Sequence, residues 1–322
     1  MPRTRFPRAG SMQFHPRSRA RSTNPRVRSW ATVKEAKALG FAGYKVGMTH
    51  LLINDTNKNS LTKGKDIFCP VTVVECPPLK TSSIVFYKNA DKGTKIVGEL
   101  FADSVDKELS AKVLDHKKKG QEVADFDFIR IQCYTQPKLT GIGKKQPDVF
   151  EVAVGGNKEQ QLAYAKDKLG KEITINEVFK EGQMLDIHAI TKAKGFQGAR
   201  KKFGIRLRSH KSEKSIRNPG SLGAWRGQGH MMWRIAHAGK MGYHLRTEYN
   251  KWLVKIGNKP DEINVKGGYV NYGLVKNNYV LIKGSLTGVQ KRLVRFTDPI
   301  RQKKVAFEPQ ITYTSLESKQ GR

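Results

Sequence analysis

The stretch FAGYKVGMTHLLIND (41–55) decides the fold class. Apolar and β-branched residues alternate there with small or polar ones, the pattern of a strand with one face buried. The pattern recurs outward along the chain. CPVTVVEC (69–76), SSIVFYK (82–88) and FIRIQCY (128–134) are β-like runs bounded by Pro, Gly and Asn. QMLDIHAITK (183–192), KWLVKIG (251–257), NYVLIKG (278–284) and VQKRLVRF (289–296) read the same way. Helical spacing occurs between them. DSVDKELSAKVLD (103–115) sets Val105, Leu109 and Val113 on one face, and NKEQQLAYAKDKLG (157–170) offers Asn157 as N-cap and Gly170 past the end. Thr174 to Glu177 spells a capping box on a short helix. The outline is mainly β, with an α/β insert near 101–170.

Charge is distributed unevenly over this outline. The 322 residues carry a formal net charge of +32 and are 38% hydrophobic. Residues 1–30 contain eight arginines, no lysine and no acid, with Pro2, Pro7, Pro16 and Pro25 among them. Residues 190–259 hold seventeen Lys/Arg against Glu213 and Glu248, whereas 101–190 is close to neutral. A folded body with two basic extensions facing a dense polyanion is expected, and nucleic acid is the natural polyanion. The proline-rich arm reads as extended, with too little apolar surface to offset its ordering entropy when alone. Arginine there suits forked contacts to phosphate and stacking on bases.

Residues 191–250 have nine glycines and no sustained apolar period, so no helix or sheet is expected in them. Glycine lets backbone approach a ligand closely. Lys and Arg would meet phosphates, while Trp225, Trp233, Phe196, Phe203 and Tyr243 would offer flat faces to bases. The alternative for Trp225 and Trp233 is a place in a core.

Other chemistries find little support. His230, His237 and His244 recur every seven residues without Cys or carboxylate partners, which speaks against a metal site. Gly227-Gln228-Gly229 is a fragment of a dinucleotide loop without its strand–turn–helix setting, and no GxxxxGK[ST] occurs. Asp125 and Asp127 flank Phe126 as strand alternation would place them, and no nucleophile–base constellation stands out. Cys69, Cys76 and Cys133 form no CxxC pair and fit a reducing, cytoplasmic setting. The cationic start is not followed by an apolar run, so no secretory signal is expected, and no stretch approaches the ~18–20 apolar residues of a membrane span.

FAGYKVGMTH (41–50), DIHAITKAKGFQGARKKFG (186–204), NPGSLGAW (218–225), AGKMGYHLRTEYNK (238–251) and ITYTSLESKQGR (311–322) resemble, in order, the universal large-subunit ribosomal protein L-three family. The insert and the SLESKQ ending resemble its archaeal and eukaryotic branch, and the length favours archaeal. The resemblance implies a six-stranded barrel like those of other translation proteins, an arm and a central loop that enter the large-subunit RNA, and a loop tip, at Trp225, near the peptidyl transferase centre. It implies binding near the 3′ end of the large rRNA, an early role in assembly, and neighbours such as ribosomal protein L-fourteen and the archaeal-type L-twenty-four. The chain departs from the family pattern at Arg226-Gly227-Gln228-Gly229, where a proline-containing stretch is usual, and at Lys240, where Gln is common.

The expected organisation is an arm (1–40), barrel segments (41–100, 171–190 and 251–322), the insert (101–170) and the basic loop (191–250). The expected function is non-enzymatic rRNA binding without a cofactor, metal, membrane or homo-oligomer, with localisation to the cytoplasmic large subunit. An rRNA-modifying enzyme and a DNA-architectural protein are the alternatives. The expected RNA-binding residues are Arg3, Arg5, Arg8, Arg17, Arg19 and Arg21 in the arm. Beyond it they are Lys192, Lys194, Arg200, Lys201, Lys202, Arg206, Arg208, Trp225, Arg226, Trp233, His244 and Arg246.

Overall fold

The computed structural model describes residues 7–56, 59–110, 120, 123–212, 215–223, 232–301 and 309–320. The chain forms two compact units. One joins Met1–Ser22 to Ile190–Leu245, and the other comprises Thr23–Ala189 with Arg246–Arg322.

The larger unit begins its strands with β1 (Gly40–Asn54), β2 (Asp66–Glu75), β3 (Leu79–Ala90) and β4 (Gly93–Phe101). A single turn, α1 (Lys107–Ser110), precedes β5 (Phe128–Tyr134) and β6 (Val149–Ala153). Then come α2 (Lys158–Lys168), β7 (Glu172–Ile173), α3 (Ile175–Val178) and β8 (Met184–Ile190). The chain passes through the smaller unit as β9 (Phe196–Gln197), α4 (Ala199–Phe203) and β10 (Gly239–Lys240). It continues through β11 (Leu245–Gly257), β12 (Tyr279–Lys283), β13 (Leu293–Thr297) and β14 (Gln310–Thr314).

The main sheet has the order β13-β8-β11-β12-β2-β1-β14, and β13 pairs with β1 as well, so the ladder returns to β1. β1 is long enough to serve three partners. Gly40–Tyr44 face Thr297–Leu293, Leu51–Asn54 face β14, and Tyr44–Asn54 face β2. A register shift between Lys45 and Gly47 bends it. Gly43, before this shift, is required because a Cβ there would stand 2.7 Å from both Cys76 Sγ and the Glu75 carbonyl. Phe41, Leu51, Val73, Ile187, Leu253, Leu281 and Phe296 fill the interior. Full burial of one such side chain stabilises the fold by roughly 1.5–3 kcal/mol. The second sheet runs β4-β3-β5-β6, with β7 on β3. α2 packs on its β5 strand, burying Ala165 while Gln161 Oε1 accepts from the Ile129 N–H at 3.1 Å.

Several buried polar groups are matched by partners. Glu75, fully buried, accepts from the Tyr272 hydroxyl, the Lys276 and Asn277 backbone N–H groups (both 2.9 Å) and Asn277 Nδ2 at 2.8 Å. Arg295 donates to the Pro25 and Glu151 carbonyls and lies 4.4 Å over the Phe150 ring. Burial pushes its guanidinium down to about 10. His188 bridges Thr247 on β11 (2.9 Å) and Thr297 on β13 (3.2 Å). Burial, then the Arg295 charge, push its imidazole down to about 4, so it is neutral near pH 7.

Most strand and helix expectations match. α2 has Asn157 as N-cap with a capping box, Thr174 caps α3 in the same way, and Gly170 takes φ +74°. Asp125 pairs with Lys88, while Asp127 accepts from the Asn89 N–H and pairs with Lys158, so both acids tie their segment to β3 and Asp127 also to α2. Some boundaries differ. The helix expected over 103–115 is described only as Lys107–Ser110, since 111–119 lie outside the described residues. The strand expected from Val289 begins at Leu293, because the Arg292 N–H turns back onto the Val289 carbonyl. The strand expected from Lys251 begins at Leu245. The stretch 191–250, read as having no regular structure, contains β9, α4 and β10. Pairing between its two ends supplies the order that apolar periodicity does not.

Candidate nucleic-acid interface

The smaller unit concentrates the charge. Its two segments hold nineteen Lys/Arg and one acid, Glu213. With so few acids, almost none of this charge can be neutralised within the unit.

Its frame is a ladder between the two ends of the basic loop. Phe196 and Gln197 pair with Lys240 and Gly239. The ladder extends through Met241 N–H to the Gly195 carbonyl, Lys194 N–H to the Met241 carbonyl (both 2.9 Å) and Tyr243 N–H to the Lys192 carbonyl at 3.4 Å. Gly242 (φ +77°) is needed where the ends cross, since a Cβ would lie 2.0 Å from the Lys192 carbonyl oxygen. α4 follows β9, and Gly204 at φ +72° ends it. Arg200, Lys201 and Lys202 occupy its last turn, where cations suit the helix dipole.

The arm is bound to this frame. The Ala20 N–H donates to the Tyr243 carbonyl at 2.8 Å, and His244 Nδ1 lies 2.8 Å from the Ser18 carbonyl. Arg17 donates to the Lys202 carbonyl at 3.1 Å and lies 4.5 Å over the Phe203 ring. Arg8 donates to the Arg234 carbonyl. His15 stacks on Phe203 with centroids 6.2 Å apart and meets the edge of Trp233 at 5.6 Å. Burial, then the charges of Arg17, Arg8 and Lys202, lower the His15 imidazole below its usual range. Burial and Arg17 likewise lower Lys202. The Pro-Arg composition of the arm reads as lacking internal partners; the structure supplies them from the loop, through the Phe203 ring and backbone carbonyls.

The expected contact residues divide by exposure. Arg8, Arg19, Arg21, Lys192, Lys194, Arg200, Lys201 and Arg206 are exposed, while Arg17, Lys202 and Arg208 are half-buried. Trp233 is 64% exposed and so is not a core residue. His244 is buried and engaged by the arm, and His237 Nε2 lies 3.1 Å from the Met232 carbonyl. Arg246, half-buried on β11, belongs to the larger unit. Arg3, Arg5, Trp225, Arg226 and His230 lie outside the described residues. Of the other aromatics, Phe203 is buried beneath Arg17, and Phe196 is 73% exposed. Two cations missing from the expected set are Lys240 and Arg217. Arg217 shares a hollow with Arg200 and Lys201, and Lys240 shares a cleft with Arg19 and Arg21. Their charge was visible in sequence, but their proximity depends on the ladder.

Two further hollows are lined by residues between Asp106 and Gln161. One is lined by Asp106, Glu108, Tyr134 and Lys138, whose charges pair with one another or with Lys80. Among the described residues no group of His, Cys, Asp and Glu could hold a metal ion, and no helix is long and apolar enough to cross a membrane.

A family model described as Ribosomal protein L3 matches residues 1–127 and 118–321. The large ribosomal subunit protein uL3 of Methanobrevibacter smithii is 46% identical over 336 aligned residues, covering 100% of both chains. The proteins of the same name from Archaeoglobus fulgidus and Picrophilus torridus are 44% and 43% identical, each over 98% of both chains.

Proposed function

Because the chain belongs to the ribosomal protein L3 family, we propose that it is a structural, non-enzymatic constituent of the large ribosomal subunit that binds ribosomal RNA. The observation that carries this reading is the smaller unit, two distant segments joined into one body with nineteen Lys/Arg against a single acid. Such a surface displaces the counterions condensed on RNA, which drives association entropically and makes it steeply salt-dependent. The exposed cations Arg8, Arg19, Arg21, Lys192, Lys194, Arg200, Lys201 and Arg206 contact phosphate. Arg17, Lys202 and His244 shape the surface from within.

The larger unit supplies the folded β body. Its β1-β2-β12-β11-β8-β13 pairings, with the return from β13 to β1, support a six-stranded barrel of the translation-protein type. The insert, near neutral and internally paired, faces protein or solvent. The binding region lies near the 3′ end of the large rRNA, where early binding nucleates assembly, and the Trp225 segment extends toward the peptidyl transferase centre. Ribosomal protein L-fourteen and the archaeal-type L-twenty-four are the proposed neighbours.

Sedimentation of the tagged chain from lysate tests the reading. Co-migration with large subunits, reversed only by strong salt, is expected. A chain that stays at the top of the gradient at low salt would refute it.

A further inference from the structure

The smaller unit contains a cleft of about 590 Å³ whose walls include Arg19, Arg21, Phe196, Lys240, Met241 and Tyr243. Its size falls within the roughly 300–1,000 Å³ typical of small-ligand sites. Phe196 sits on β9 opposite Lys240 on β10, so a flat apolar face and an ammonium group share the opening. The arm adds the other two cations. Ala20 is fixed to the Tyr243 carbonyl, and the flanking Arg19 and Arg21 both line the cleft. Phe196 is 73% exposed, and among the described residues no aromatic ring or cation covers it. Arg19 and Arg21 are likewise exposed.

We propose that this cleft receives one unpaired nucleotide of RNA, its base on the Phe196 ring and its flanking phosphates against Arg19, Arg21 and Lys240. The inference rests on the RNA-binding reading above and gives it a specific site. An exposed aromatic face within a ring of cations matches a ligand with one π-face and adjacent negative charges, which is an unstacked nucleotide. Paired helical RNA keeps its base faces stacked and could engage only the cations. An acidic peptide would satisfy the three charges and leave Phe196 without a partner. The site is also composite, since the arginines and the ring lie far apart in sequence and meet only because the arm is bound to the loop ends.

The test uses the full chain and transcribed large-subunit rRNA, with affinity measured across a salt series. Phe196→Ala should weaken binding roughly 10-fold, a loss typical of one stacked base, with the salt slope unchanged. Phe196→Trp should restore most of the affinity. The double variant Arg19→Ala/Arg21→Ala should weaken binding and flatten the slope, because two phosphate contacts are lost. All three positions are exposed, and unchanged far-UV circular dichroism would confirm that the variants fold. If the wild-type chain binds and Phe196→Ala binds equally well, the nucleotide site is wrong and the general RNA reading survives. A cleft that takes poly-glutamate, with RNA affinity indifferent to Phe196, overturns the site as well. Failure of the wild-type chain to bind rRNA overturns both.

Discussion

Arg17 lies 4.5 Å over the Phe203 ring and donates to the carbonyl of Lys202, the residue before that ring. One arginine of the arm is thus held by both the side chain and the backbone of the α4 end. His15 stacks on the same ring, and Gly10 approaches it so closely that a Cβ would lie 2.7 Å from Phe203 Cδ1. Phe203 is the point on which the arm closes.

Phe203→Ala should therefore loosen the arm specifically. A cation–π contact contributes about 0.5–2 kcal/mol, and the lost stacking with His15 adds to it. Amide exchange at Ser18–Ala20 in the free chain should accelerate roughly 10-fold while exchange in β1 and β12 stays unchanged. Equal exchange in variant and wild type would mean that the ring does not hold the arm.

His188 gives the fold a defined acid limb. Its folded value is about 4 and an unfolded histidine titrates near 6.5, so between those values the unfolded chain binds more protons. Its contribution is fully present above about pH 6.5 and is lost as pH falls toward 4, by up to about 3 kcal/mol. The groups around it are Thr247 and Thr297, which bond its two nitrogens, and the Arg295 charge, which opposes protonation. Urea midpoints followed from pH 7 to 4 should fall, and His188→Gln should reduce the fall. An unaltered pH profile in His188→Gln would exclude this histidine as its source.

Glu75 joins β2 to the segment before β12. Glu75→Ala would leave the buried Tyr272 hydroxyl and the part-buried Lys276 and Asn277 N–H groups without an acceptor, and an orphaned buried donor costs about 1–3 kcal/mol. Burial, the larger cause of its raised value, would still hold the Tyr272 hydroxyl protonated once the Glu75 charge is gone, so it cannot relieve the loss by ionising. A drop of about 3 kcal/mol or more in unfolding free energy is expected, against a smaller one for Glu75→Gln, which retains one acceptor. Wild-type stability in Glu75→Ala would show that water replaces the carboxylate.

The β framework was legible because its strands announce themselves individually. FAGYKVGMTHLLIND became β1, and the caps at Asn157 and Thr174 lie where the sequence puts them. The charge of the smaller unit was equally legible, since a run of Lys and Arg needs no fold to be counted. The joining of arm and loop was not. It depends on contacts to backbone carbonyls, the Ala20 N–H on Tyr243 and the His244 ring on Ser18, which span more than two hundred positions and leave no local pattern in the sequence. For the same reason His244 read as a contact residue although it is buried, and Lys240 passed for a family substitution rather than a member of the cleft.

The most direct test of the account is the salt dependence of binding between the full chain and large-subunit rRNA, measured in competition with duplex DNA of equal length. With some eight exposed cations on phosphate, log affinity should fall with log salt at a slope of roughly −6 to −7, and RNA should outcompete DNA throughout. A slope near zero, or equal displacement by duplex DNA, would contradict the claim that the arm and loop form one cationic surface shaped for folded ribosomal RNA.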